Sequence, residues 1–556
     1  LSGGGGGFVV ASLLLLGLGS LPLDDSARGY LGSPIPTPGT AAAVAVLAVA
    51  SAAGYAVALN RRAASRTRLA QHFGQRVEHL RALIRYAHLQ APHDIRPELA
   101  RVLRAMEDLR ADMERAGSIG RGPGLHALGR GYLALGRPDE ALALLREALA
   151  AGGRGPDLHS DLGLALGILY ARGLKEVQGL RQPALRSQRL ARLNQDCKGP
   201  ALEHLRLGKG GAGPEHLYAE ALIAAFEGRN GEALSRTSAA LAAAPWFYEC
   251  LLLEGKLGLT QSLQRNPLEA AEQSRDLGHL EALGRTTDRL LRLAPSLPEA
   301  YYLESDRWFE RGRILEVSDA EAGEAAYRTG LQWADRGLAV DSEDPDLLIA
   351  RARHLWVLGE LAQRGGKDPR EAFQSARASA DRAARVQPDR GFIFRNRANV
   401  LAAQASWLAS TGQDTAEAVQ GGLASLERAL VLDGRDLPGL RTLAWLQGFR
   451  ADALRSRRED PRPAYRAAVD VYEEILQAEP QDPMATANGG LMHGLLFELD
   501  LEEGRADPAL LDRGLTLLDQ GLQRSPRNVA AWANQTFLLR LRARHAREGG
   551  LDPSPF

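Results

Sequence analysis

His72, His79, His88, His93 and Asp94 form the densest group of potential metal ligands and proton carriers in the chain. His72 and His79 stand seven residues apart, so on a helix they would share a face, as a two-histidine metal site requires. No carboxylate or cysteine joins that pair at a spacing of three or four, and no metal is expected there. Cys197 and Cys250 are the only cysteines; they form no C-x-x-C pair and read as buried thiols. The stretch Gly208-Lys209-Gly210-Gly211-Ala212-Gly213 has the glycines of a phosphate loop, but no Ser or Thr follows its lysine and no strand precedes it, so it reads as a flexible loop. The chain holds no G-x-S-x-G, no H-E-x-x-H and no Walker motif. No catalytic residue and no cofactor are therefore expected in it. What remains is side chains suited to gripping another polypeptide. Arg130, Arg351, Arg395, Asn396, Asn399, Asn488 and Asn534 carry forked donors or amides that could hold the backbone or carboxylates of a bound segment.

Composition narrows the partner. Lys+Arg and Asp+Glu both number 68, so no global positive charge exists to attract a polyanion, and nucleic acid is not an expected partner. At 45% hydrophobic the 556 residues suffice for a long array of packed elements, which argues against a chain disordered throughout.

The gripping residues need a scaffold, and spacing supplies one. Leu128-Gly129 and Tyr132 precede Gly136-Arg137-Pro138, and Ala141 and Ala148 follow before Pro156. This reads as a helical hairpin with a small residue on each helix where the two must approach closely. The pair Leu162-Gly163 repeats Leu128-Gly129 after 34 residues. The pattern resembles the tetratricopeptide repeat. Residues 171–213 interrupt it, and it resumes over 219–245 with Gly228 at the turn and Ala233 and Ala240 as small positions. From there closing positions fall at Pro295, Ser342, Pro388, Gly434, Pro480 and Pro526, a period of 46 after a first step of 47. Ten residues past each stand Ser305, Ala352, Ala398, Ala444, Gly490 and Thr536, all small. Twelve before the closures from Ser342 onward stand Gly330, Ala376, Gly422, Ala468 and Gly514. The longer unit predicts longer helices, and Asp368-Pro369, Asp460-Pro461 and Asp507-Pro508 predict capped starts for second helices.

The expected fold is thus all-α, a tetratricopeptide-like α-solenoid of 34- and then about 46-residue hairpins preceded by one or two transmembrane helices. Residues 8–23 and 41–59 are the candidate spans, and together they make 1–60 a membrane anchor. Arg61, Arg62, Arg66 and Arg68 follow the second span, which predicts an inner-membrane protein with its array in the cytoplasm. Residues 61–118 read as an amphipathic stalk and capping hairpin, 119–260 as repeats with the insertion 171–213, 261–549 as the long-helix repeats, and 550–556 as a tail.

The segments Gln71-His72-Phe73-Gly74-Gln75-Arg76-Val77-Glu78, Pro92-His93-Asp94-Ile95-Arg96-Pro97 and Gly122-Pro123-Gly124-Leu125-His126 resemble the region following the membrane span in bacterial serine/threonine protein kinases. The resemblance implies the regulatory or docking part of such a kinase, binding protein or peptide partners. The chain lacks the glycine-rich loop, H-R-D, D-F-G and A-P-E that phosphoryl transfer needs, so any kinase activity would require a domain preceding Leu1. The alternative from a different class is a non-kinase scaffold for envelope assembly or sensing.

Overall fold

The computed structural model describes residues 38–178, 183–208, 213–262, 270–316, 318–433, 437–480, 482–526 and 528–549. The candidate span 8–23, the closing position Gly434 and the tail 550–556 lie outside the described residues.

Every element among the described residues is helical. The chain opens on α1 (Pro38–Leu89), followed by α2 (Arg96–Arg115). Hairpins follow: α3 (Gly117–Ala134) with α4 (Pro138–Ala150), then α5 (Pro156–Gln178). The partner of α5 arrives late, because α6 (Pro183–Leu193) and a π-helical turn (Asn194–Lys198) precede α7 (Gly199–Leu207). It is α7 that packs on α5: a Cβ on Gly163 would stand 2.6 Å from Leu205 Cγ, so only glycine admits that approach. The stretch 171–213 thus delivers the missing second helix. Further hairpins are α8 (Pro214–Phe226) with α9 (Asn230–Ala243), and α10 (Tyr248–Ser262) with α11 (Ala270–Leu293).

The long units come next: α12 (Pro298–Leu315) with α13 (Ala320–Val340), α14 (Pro345–Arg364) with α15 (Arg370–Val386), and α16 (Gly391–Ser410) with α17 (Ala416–Asp433). After them stand α18 (Leu437–Ser456) with α19 (Arg462–Ala478), α20 (Pro483–Glu502) with α21 (Pro508–Arg524), and the last first helix, α22 (Val529–Glu548). From α14 onward first helices begin 46 residues apart and each has 20 residues.

The small columns work sterically. Ala352, Ala376, Ala398, Ala444 and Ala468 are fully buried, and a Cβ on Gly490 would meet the Gly514 carbonyl oxygen at 2.9 Å. First helices end in a shared stop. Gly366, Gly412 and Gly504 have φ near +70°, and the next residue's N–H reaches back five residues, as from Lys367 to the Ala362 carbonyl at 2.8 Å. That bond satisfies a carbonyl the helix end would otherwise orphan. Asp507 caps α21 by accepting from Ala509 N–H, while Asp368 and Asp460 accept from Arg370 and Arg462 N–H just outside their prolines.

First helices of successive hairpins pack against one another, from α10 through to α22, whereas successive second helices stand further apart and meet through long side chains, as in the Arg377–Glu417 and Arg513–Glu473 ion pairs. The array therefore curves with first helices on its inner side.

The membrane expectation is corrected. Among the described residues no helix is long and apolar enough to cross a membrane. Residues 41–59 are not a separate span; they open the 52-residue α1, which continues without a break through Asn60, Arg61 and on to Leu89. The run is built mainly of alanine, and one methyl per residue contributes little transfer free energy. The expected transmembrane helix at 41–59, and with it the inner-membrane placement of a cytoplasmic array, falls with that finding.

Candidate functional site

The residues expected to grip a partner are engaged with the scaffold itself. Arg130 bridges Glu78 on α1 at 2.8 Å and Asp161 on α5 at 3.1 Å. Arg351 donates to Asp335 at 2.8 Å and to Ser379 Oγ at 2.6 Å, joining α14 to both flanking second helices. The Arg395 guanidinium stands 5.6 Å from the centre of the Phe392 ring. Asn396 is buried and donates to the Phe392 carbonyl at 2.8 Å. Asn399 accepts from Thr442 Oγ1 at 2.7 Å, the Asn488 side chain lies beside the Tyr472 hydroxyl, and Asn534 donates to the Ala487 carbonyl at 3.1 Å.

Two of these bonds, Asn399–Thr442 and Asn534–Ala487, run from one first helix to the next, and they locate the inner face. Asp306 and Arg353 make such a bond at 2.8 Å, each one residue past the small column. The same register continues through Asn399, Trp445, Leu491 and Phe537. The residue one helical turn further on is Glu310, then Val357, Ala403, Phe449, Leu495 and Leu541. The inner face is therefore divided. Its earlier part is polar, with Glu304, Asp306, Arg307 and Glu310 all buried on α12: Glu304 accepts from Thr287 at 2.5 Å and Trp308 at 2.9 Å and pairs with Arg307, and Arg313 pairs with Glu310 at 2.8 Å. Its later part, on α18, α20 and α22, is apolar. Trp445, Phe449, Leu491, Leu495 and Phe537 are half-buried there, with the Trp445 and Phe449 rings 5.4 Å apart.

The sequence reading passed over these five residues. The signal was present, because the position after each small residue can be read down the 46-residue period, and apolar types accumulate in it only from Trp445 onward.

Nothing in the histidine group near α1 assembles a metal site: no cluster of three or more potential ligands occurs among the described residues. His72 and His79 line one shallow cleft with Gln75 and Arg76, whereas His88 and His93 face a different part of the array. Burial pushes the Cys250 thiol up to about 12 and raises that of Cys197, so neither presents the thiolate that nucleophilic chemistry needs.

No family model and no curated protein matches the chain. Solved structures do resemble it. A thermophilic tetratricopeptide-repeat protein of Thermus thermophilus is 18% identical, over 42% of this chain and 98% of its own, with a TM-score of 0.30. The C-terminal part of a repeat-containing protein of the same type from Cytophaga hutchinsonii is 12% identical, over 57% of this chain and 98% of its own, with a TM-score of 0.28. The Cut9–Hcn1 hetero-tetramer of the APC/C is 15% identical, over 79% and 82%, with a TM-score of 0.31.

Proposed function

We propose that the protein is a scaffold that binds a segment of a protein partner along its inner face, with the apolar strip on α18, α20 and α22 as the principal seat. The observation that carries this reading is the run Trp445, Phe449, Leu491, Leu495 and Phe537, large apolar side chains left half-buried on consecutive first helices. Half-buried aromatics in a concave setting are what binding hot spots are made of, because a partner's apolar side chain completes their desolvation. The partner chemistry that fits is an amphipathic helix with apolar residues at i, i+3 and i+4. Arg395, Asn399 and Asn534 border the strip as polar positions for its flanks.

A peptide array tests this directly. Amphipathic helical peptides carrying Leu or Phe at i, i+3 and i+4 are expected to bind the protein, scrambled versions of the same composition are not, and Trp445→Asp with Phe449→Asp should abolish binding. Val431→Asp, at an exposed position on α17, should leave it intact. Equal binding by ordered and scrambled peptides, or by the double variant, would sink the assignment.

The narrower reading is that the scaffold docks substrates or regulators for a serine/threonine protein kinase. Support for it comes from the resemblance of residues 71–97 and 122–132, and the check is whether the reading frame upstream of Leu1 encodes a kinase domain.

A further inference from the structure

In a solenoid each repeat touches only its neighbours, so a contact between distant repeats is an addition to the architecture. This chain makes one. The end of α1 and the turn after it, residues 85–96, pack against the closing turns before α10, α12 and α14, far along the array. The Arg85 guanidinium lies 4.6 Å from the Trp246 ring and pairs with Glu249 at 2.8 Å. His88 Nδ1 is 2.9 Å from the Tyr248 hydroxyl, 160 residues away in sequence. Ser296, fully buried, donates its N–H to the His88 carbonyl at 3.0 Å and its hydroxyl to the Ala91 carbonyl at 3.0 Å, and accepts from His93 N–H at 3.2 Å. Ile95 donates its N–H to the Val340 carbonyl at 3.0 Å and buries its side chain with Ala87, Tyr301, Val340 and Leu347. Two backbone-to-backbone bonds, an ion pair and a dry apolar seat therefore join the start of the array to its middle.

The inner face carries a tie of its own within the span that this segment bridges. Asp306 on α12, itself buried, pairs with Arg353 on α14 at 2.8 Å, and residues 85–96 hold the closing turns before both of these helices through Ser296 and Val340.

We propose that residues 85–96 form a latch that holds the first half of the array closed, and that its release opens the inner face over the polar row Glu304, Asp306, Arg307 and Glu310. Release of the two closing turns would let α12 part from α14 and free Asp306 from Arg353, so the latch controls access to a charged half of the groove without touching the apolar strip. This inference does not rest on the apolar-strip reading, and its test needs no partner.

Hydrogen–deuterium exchange on the whole chain provides that test, with Ile95→Asp to disrupt the apolar seat and Arg85→Glu to break the ion pair. In both variants residues 88–96, 294–298 and 304–310 are expected to exchange at least about 10-fold faster, while 483–524 keeps wild-type protection. The swap Arg85→Glu with Glu249→Arg should restore the protection lost in the single variant, which separates a broken latch from general misfolding. Wild-type protection at 304–310 after residues 88–96 have been freed would show that the segment merely rests on the array, and failure of the swap to restore protection would equally overturn the proposal.

Discussion

Arg458 stands where the neighbouring units have glycine. Gly366, Gly412 and Gly504 occupy the same place in their units with φ of 70°, 68° and 69°, and Arg458, with φ of 61°, is the one non-glycine residue of positive φ among those described. An L side chain in this region crowds its own backbone at a cost of roughly 1–2 kcal/mol, partly offset by the entropy that glycine loses on folding. Arg458→Gly is expected to stabilise the protein by about 0.5–1 kcal/mol, read as a higher urea midpoint; a lower midpoint would refute the steric account. His354 belongs to the same scale. Its ring is buried against Gly330, with Nε2 3.1 Å from Ser305 Oγ, and desolvation, reinforced by the Arg353 charge, lowers its pKa from 6.5 to about 3. A histidine held neutral in the fold binds fewer protons than in the unfolded chain, so its contribution is complete above pH 6.5 and declines as pH falls from 6.5 toward 3. The urea midpoint should therefore drop between pH 7 and pH 5, and His354→Gln should flatten that drop; an unchanged slope in the variant would remove His354 as its source.

At the scale of elements, the repeat is stitched as well as packed. Arg351 joins Asp335 and Ser379, and 46 residues on Arg397 joins Asp381 at 2.5 Å and also reaches Ser425. Each arginine fastens its first helix to the second helix before it and the second helix after it. Four units after Arg351 in that register, Gln535 still donates to Asp519 across the same spacing of 16 residues. Arg397→Ala should cost about 1 kcal/mol, the modest figure expected for a partly exposed charged network. Arg397→Lys should recover little of it, because a single ammonium cannot present the guanidinium fork to two partners on different helices. Full rescue by lysine in urea melts would show that charge alone matters. These stitches were only half legible in the sequence. Arg351 was singled out for its forked donors, but the periodic carboxylate and hydroxyl that occupy those donors sit on other helices and carry meaning only once the hairpins are stacked.

For the whole molecule, the sequence by itself determined what repeats. Glycine, alanine and serine at 46-residue intervals can be read as close approaches because small side chains are the local condition for helices to pack, and Asp-Pro steps mark helix starts because capping is satisfied within a few residues. The tertiary structure decided the rest. It made residues 41–59 the opening of one long helix instead of a span, supplied the second helix of an early unit from within residues 171–213, and placed Trp445, Leu491 and Phe537 on one inner face. It also brought His88 against Tyr248 and the Ala91 carbonyl against Ser296, pairs with no spacing to announce them. The physical reason is that a repeat period fixes how each hairpin meets the next, whereas contacts between distant hairpins depend on a curvature summed over all the hairpins between them, to which each unit adds only a small rotation.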